Sequence, residues 1–295
     1  MATNGNTRFE VVSGYFKHDF EEEGPGFRAT TTPGLGLINN ISYETDAEFD
    51  PAREKTQWER FSYFLEQLNA RGQGKTTYKL ICAIRHGQGF HNLKELEVGR
   101  GEWDSKWSRL EGDDRKTWFD SFLTEKGEEQ ARELKTFWEK SIKDYNMPTP
   151  HKYYTSPLAR CLKTTKLAYS GLNVPSDRAF KPIVKEKLRE RFGVHTCDAR
   201  RTRSWIASEY PEYQIEHGFT EEDEHWKAEV RESDEAINSR ITELLSDVFN
   251  DKSSTVVSFT AHSGVLRALY KVTKHREVWV AAGAIVPLLV KAEVA

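Results

Sequence analysis

Two periods alternate along the chain. Trp58, Phe61, Phe64, Leu65 and Leu68 recur at the spacing of one helix face. Asp50 is placed to cap that helix, Pro51 suits its first turn, and Gly72 lies just past its end. The apolar run Leu80-Ile81-Cys82-Ala83-Ile84 is bounded by turn residues and reads as a short buried strand. After His91-Asn92 the pattern turns helical, with Trp103, Trp107 and Leu110 on one face. Thr124 caps a further helix whose stripe is Ala131, Leu134, Phe137, Trp138 and Ile142, and Pro148 and Pro150 end it. Residues 151–155 read as a second strand running into Ser156-Pro157, a cap and a first helical residue. Residues 181–185 suggest another short strand. Ser233 caps a helix buried through Ile237, Ile241, Leu244 and Val248. Residues 255–260 form a third marked strand, followed by a helix through Val265, Leu266, Leu269 and Val272. Residues 278–294 are rich in β-branched side chains, and Gly283 and Pro287 divide them into one or two strands that close the sheet. Strands alternating with helices predict one α/β domain with loop insertions. Residues 1–49 show little periodicity and read as an irregular arm packed on residues 50–295 through Phe16, Phe20 and Phe27. Residues 205–232 read as an insertion or lid.

Composition narrows the function. Of 295 residues, 37% are hydrophobic and 30% charged, and 8 Trp, 16 Phe and 11 Tyr supply core volume. The net charge of −3 gives no indication of nucleic acid. The acidic runs Glu21-Glu22-Glu23 and Glu221-Glu222-Asp223-Glu224 read as solvated loops. Cys82, Cys161 and Cys197 are odd in number and lack metal spacing, which predicts a reducing compartment and no disulfide framework. No apolar run reaches membrane-spanning length, and Met1-Ala2-Thr3-Asn4-Gly5 has no signal-peptide pattern. The expected location is the cytoplasm, with the nucleus left open. Oligomeric state is unassigned.

The candidate chemistry sits at strand ends. Arg85-His86-Gly87 closes the first strand, at the end where open α/β sheets bind ligands. Gly87 and Gly89 would let backbone approach a small anion. Arg160 follows the second strand about one turn into a helix whose unpaired N–H groups favour anions. His262-Ser263-Gly264 ends the third strand. Glu190 lies between Arg189 and Arg191, where a carboxylate would ordinarily be ion-paired and inert. No metal is expected: His86, His91, His195 and His262 lack Asp or Cys partners at ligand spacing. Arg200-Arg201-Arg203 could hold a second substrate anion, but a solvated face is the favoured account. The tryptophans of residues 99–118 are read as buried packing in preference to a substrate-sorting overhang.

Taken in order, Arg85-His86-Gly87, Leu123-Thr124 with Gly127 and Gln130, Ser156-Pro157-Leu158 with Arg160, Glu190, and His262-Ser263-Gly264 resemble the histidine phosphatase superfamily, which includes the phosphoglycerate mutases. Gly-Gln-Gly-Phe-His-Asn after the triplet, the tryptophan-rich insert and His195-Thr196-Cys197-Asp198 resemble its fungal and plant phosphomutase-like branch. The resemblance covers roughly residues 78–292. It implies a mainly parallel central sheet flanked by helices on both faces, with loop insertions. It implies His86 as the nucleophile that becomes phosphohistidine, Arg85, Arg160 and His262 as holders of the phosphoryl oxygens, and Glu190 as proton donor, with His262 counted among the catalytic groups. Asn92 takes the position of a polar pocket residue, and Glu186 is a second candidate for the proton donor. No cofactor is implied, and the partner is a small phosphorylated substrate, with no nucleic acid and no membrane. Residues 95–120 and 195–232 are expected to wall the pocket. The expected activity is a metal-independent phosphomonoester phosphatase. A phosphomutase is the alternative, disfavoured because the segment that follows Arg-His-Gly in the mutases is missing. A non-catalytic interaction module is the other, disfavoured because all five site residues are intact.

Overall fold

The computed structural model describes residues 7–20, 24 and 26–294. The run Glu21-Glu22-Glu23, Pro25 and the amino-terminal residues 1–6 lie outside the described residues. Seven strands, β1 (Thr7–Val11), β2 (Thr76–Arg85), β3 (Lys152–Thr155), β4 (Ile183–Val184), β5 (Gln214–Ile215), β6 (Val256–Ala261) and β7 (Ile285–Val294), form one sheet in the order β1-β7-β2-β6-β3-β4-β5. From β2 to β5 neighbours are parallel, and β7 runs antiparallel between β2 and β1. The helices are α1 (Asp46–Phe49), α2 (Gln57–Arg71), α3 (Phe90–Val98), α4 (Arg100–Ser105), α5 (Glu125–Tyr145), α6 (Ala159–Tyr169), α7 (Arg203–Glu209), α8 (Asp234–Asn250) and α9 (Ser263–Val272). This is the expected α/β architecture, a mainly parallel sheet with helices on both faces. No helix among the described residues is long and apolar enough to cross a membrane.

The unbroken apolar run in β2 is explained by burial on both faces. Leu80, Cys82 and Ile84 pack with Trp58 and Phe61 of α2, Leu134 and Trp138 of α5, and Tyr169 of α6. Ile81 and Ala83, one residue out of phase, pack with Ile237, Ile241 and Leu244 of α8 and Val265 and Leu269 of α9. Each large side chain so buried contributes roughly 1.5–3 kcal/mol. Thr124 and Ser233 cap α5 and α8 as expected, accepting from Gly127 N–H (3.1 Å) and Ala236 N–H (3.2 Å).

Several elements depart from the sequence reading. Helix α2 starts at Gln57, because Thr56 and Glu59 form a reciprocal capping box there. Asp50 instead accepts from Glu54 N–H (2.7 Å) and pairs with Arg60. The arm contains strand β1, whose Phe9 side chain is buried against Phe249. Phe16 is fully buried and Phe27 half-buried, but Phe20 is 61% exposed. Helix α4 breaks at Lys106 (φ −134°, ψ −65°), which turns Leu110 outward. Residues 205–232, read as an insertion or lid, form part of the packed fold: they add edge strand β5 and bury Ile206, Tyr210 and Tyr213. Strand β7 runs through Pro287 unbroken. Leu80 N–H turns toward β6, so Cys82, of the same parity, exchanges no bonds with β7. Pro287, opposite Cys82, therefore faces the side where β1 reaches only to Val290.

Candidate active site

Parallel pairing of β2, β6 and β3 sets Arg85 beside Ala261 and Thr260 beside Thr155. The residues after these strand ends, His86, His262 and Ser156, therefore converge. His86, Arg160 and His262 are all buried. The His86 and His262 rings lie 5.0 Å apart, and the Arg160 guanidinium bridges them. Its Nε lies 3.2 Å from His86 Nε2 and 3.3 Å from His262 Nδ1. His86 Nδ1 is 2.7 Å from the Gly87 carbonyl, an acceptor only. That assigns the proton to Nδ1 and leaves the lone pair on Nε2, facing Arg160. His262 Nε2 is 2.8 Å from Ser156 Oγ. Burial above all, then the Arg160 charge, holds the pKa of both imidazoles well below the usual histidine value, so both are neutral near pH ~7.

Arg160 is itself fixed. It donates to the Cys197 carbonyl (2.6 Å) and to Asp198 Oδ1 (3.0 Å). Burial opposes the Asp198 charge, but Arg231 and then Arg160 hold its carboxyl below the usual range. Arg231 reaches Asp198 Oδ2 at 2.9 Å. Arg85 donates to the Val280 carbonyl (2.8 Å), and its buried Nε has no hydrogen-bond partner among the described residues. Arg85, His86 and Arg160 floor a cleft of about 690 Å³ that Asn92, Glu190, Ser263 and Gly264 also line, while His262, fully buried, stands behind this floor and not on it.

Glu190 is not paired with its neighbouring arginines. Arg189 binds Glu186 (2.7 Å) and Asp223 (2.6 Å), and Arg191 binds Asp234. Glu190 instead accepts from Arg191 N–H (3.0 Å) and, at the start of α9, from Gly264 N–H (3.0 Å). A Cβ at residue 264 would meet this carboxylate and push it aside, so glycine lets Glu190 lie against the start of α9. Glu186 is held by Arg189 and Arg200 (2.9 Å) and does not line the cleft.

Other expectations are corrected. The close approach of Gly87 is to Gly127 backbone, and that of Gly89 is to the His91 ring. The N–H groups after His86 are already occupied: Gly87 donates to Thr164 Oγ1 (3.2 Å), Gln88 to Gln130 Oε1 (2.9 Å) and Gly89 to Asn92 Oδ1 (3.1 Å). At the start of α6, Ala159 N–H donates to the buried Asp120 carboxylate (2.8 Å), which takes the place expected for a ligand anion. Ser156 does not cap α6, which begins at Ala159; its hydroxyl serves His262. Arg200 is not solvated but buried, donating to the Thr220 and Glu222 carbonyls as well as to Glu186. Arg201 pairs with Asp120 (3.0 Å) and stacks on Phe122 and Trp205. Asp223, read as part of a solvated run, is the partner of Arg189.

The walls come from both expected loops, through Glu95, Arg100 and Trp103 on one side and His195, Asp198 and Arg231 on the other. Trp103 and Trp118 are buried in a cluster with Cys197 and Trp107, which is the packing role expected of the tryptophans, and Trp103 also meets the cleft. His195, Cys197 and Asp198 do offer ligand atoms within 4.8 Å of one another. The Asp198 carboxylate is already committed to Arg160 and Arg231, so the donor set lacks a free anionic oxygen for a cation. Sequence reasoning missed the roles of Ser156, Asp198 and Arg231, although His-Thr-Cys-Asp stood out as a motif.

Residues 81–279 match the model of the histidine phosphatase superfamily (branch 1). The chain is 42% identical over 285 residues to a "Probable phosphoglycerate mutase" of Arthroderma benhamiae, covering 97% of this chain and 84% of that one. It is 35% identical to "Phosphomutase-like protein 3" of Candida albicans, over 73% of this chain and 66% of that one. A solved phosphoglycerate mutase from Thermus thermophilus aligns at 22% identity with a TM-score of 0.40, covering 70% of this chain and 91% of that one. On the match over residues 81–279 and the 42% identity to the Arthroderma protein over 97% of its own length, the chain belongs to the histidine phosphatase superfamily, branch 1.

Proposed function

We propose that the protein is a metal-independent phosphomonoester phosphatase acting through phosphohistidine on a small phosphorylated metabolite. The observation that carries this reading is the Arg160 guanidinium set between His86 Nε2 and His262 Nδ1, with the His86 proton held on Nδ1 by the Gly87 carbonyl. A substrate phosphoryl group entering beside Nε2 meets a neutral nucleophile and the donors of Arg85 and Arg160, with His262 behind Arg160, accepting from its Nε. The Nε2 lone pair forms the N–P bond as the ester P–O bond breaks, and Glu190 gives its proton to the leaving oxygen. Water then attacks phosphorus, Glu190 takes its proton, the N–P bond breaks, and phosphate leaves with the imidazole restored. Asn92 lines the pocket beside this position.

The test is phosphate release from p-nitrophenyl phosphate in EDTA by wild type and His86→Ala, with an alkaline quench of radiolabelled substrate to trap label on His86. Activity of wild type alone, with base-stable label on His86, is expected. Equal activity of the two proteins overturns the assignment. Transfer back to a bound acceptor is a second reading, favoured by the mutase names of the relatives. Turnover in isotopically labelled water separates the two: hydrolysis places one solvent oxygen in each phosphate released, whereas a mutase leaves its product unlabelled.

A further inference from the structure

The cleft carries more positive charge than one phosphoryl group needs. Among the described residues, eight arginine and lysine side chains line it against three carboxylates. Arg85 and Arg160 belong to the floor. Arg100, Arg191 and Arg231 are bound to Asp104, Asp234 and Asp198. Arg28, Lys126 and Arg267 remain, all exposed and therefore at the mouth. Among the described residues no carboxylate pairs with Arg28 or Lys126, and Arg267 holds Glu277 in a half-exposed pair (2.7 Å).

Two of these cations are organised. The Trp279 ring carries the Arg28 guanidinium at 4.8 Å and that of Arg267 at 5.0 Å. Arg28 is brought there by backbone: Ala29 N–H donates to the Trp279 carbonyl (2.7 Å), and Ala281 N–H donates to the Ala29 carbonyl (2.9 Å). The same loop supplies the Val280 carbonyl that fixes Arg85. Arg28 thus reaches the cleft from the amino-terminal arm, outside residues 81–279 that match the family. Burial above all lowers the Arg85 pKa; Glu190 opposes this, and the Arg28 charge adds to the lowering. Like charges gathered at a cleft mouth repel one another unless an anion sits among them.

We propose that Arg28, Arg267 and Lys126 form a second anion subsite, so that the preferred substrate carries a further anionic group, phosphate or carboxylate, besides the phosphoryl group held on the floor. This deepens the phosphatase reading and rests on it for the orientation of the substrate.

The experiment compares propyl, butyl and hexyl phosphates with the bisphosphates of the matching terminal diols. It reads kcat/KM for each pair at low and high salt. Alongside, calorimetry compares the affinity of alkylphosphonates and alkylbisphosphonates of the same lengths, which needs no turnover. In wild type the second anion is expected to raise kcat/KM and affinity by at least about tenfold at one chain length, and salt is expected to reduce the advantage. In the double variant Arg28→Gln, Arg267→Gln the preference ratio falls to near unity, and Arg28→Lys retains most of it. A ratio of one in wild type at every length overturns the subsite, as does a preference that survives the double variant. Hydrolysis of both series at equal rates, with equal affinities, removes the subsite and keeps the phosphatase. Tighter bisphosphonate binding that depends on Arg28, in a protein that hydrolyses neither series, keeps the subsite and removes the phosphatase.

Discussion

The floor and the mouth of the cleft hold positive charge in opposite ways. On the floor, Arg160 is fully buried, and its position is set by two imidazoles, one carbonyl and one carboxylate. At the mouth, Arg28 and Arg267 rest on one indole that is itself 36% exposed. A buried charge with fixed partners is preorganised, so the reacting phosphoryl group meets donors that need no rearrangement. An exposed charge on a flexible stem is screened by water and salt and contributes mainly to attraction and selection. The floor is thus suited to chemistry and the mouth to choosing what reaches it. That contrast can be broken by substitution, starting where the effect is largest.

Removing His86, the proposed nucleophile, is the most severe change. His86→Ala is expected to lower turnover of p-nitrophenyl phosphate by at least about a thousandfold while the thermal melt remains cooperative. A variant that retains activity would falsify the role of the floor altogether. Glu190→Gln comes next. Loss of the proposed proton donor is expected to cost roughly a hundredfold on alkyl esters. The loss should shrink on dinitrophenyl phosphate, whose leaving group needs no proton. An equal loss on both esters would show that Glu190 positions α9 through Gly264 and does no proton transfer.

Ion pairs sharpen the same contrast. Asp198→Asn leaves Arg160 and Arg231 without their carboxylate in a buried site. The expected cost is about 3–5 kcal/mol in urea unfolding, with kcat/KM reduced about tenfold because Arg160 loses its fixed orientation. Glu277→Gln removes the partner of Arg267 at the mouth, where both side chains are about half exposed. The cost there is less than ~1 kcal/mol. Comparable costs for the two variants would dissolve the distinction between floor and mouth.

These differences also explain which parts of the molecule were legible in the sequence. The runs of β2 and β6 and the stripes of α2, α5 and α8 are periodic, and periodicity reports burial directly. His86, Arg160 and His262 are legible because each follows a strand end, and parallel pairing brings such ends together. Arg28 has no such signal: a single bridge between Ala29 and Val280 carries it in. Asp198 lies in a short turn, Thr196–Asp198, whose placement depends on contacts with Ser108 and Leu110. Arg200 looked solvated because the carbonyls that bury it come from residues 220–222, in an irregular loop. The N–H groups after His86 looked available because their acceptors, Thr164, Gln130 and Asn92, are distributed over three helices or their starts.

The last prediction concerns pH, to which the buried imidazoles of the site contribute beside His18, His151 and His195, whose pKa burial also lowers. Burial first, then Arg160, lowers the pKa of His86, His91 and His262 well below the ordinary value. Each is neutral in the folded protein and gains a proton on unfolding once the pH drops below ~6.5. The unfolded chain therefore binds more protons in that window, and stability falls as the medium becomes more acid. The slope is up to ~1.4 kcal/mol per pH unit for each histidine that stays neutral. Asp198, whose folded pKa is lowered, loses its contribution in the same direction as the pH falls toward and below ~3.9. Titrating urea stability between about pH 8 and 5 separates the two groups, because the histidine loss begins first. His91→Leu removes one buried imidazole at the cleft, and the slope below ~6.5 should fall by about one proton. An unchanged slope would mean that His91 is protonated in the folded protein, and the floor would then carry an additional positive charge beside His86.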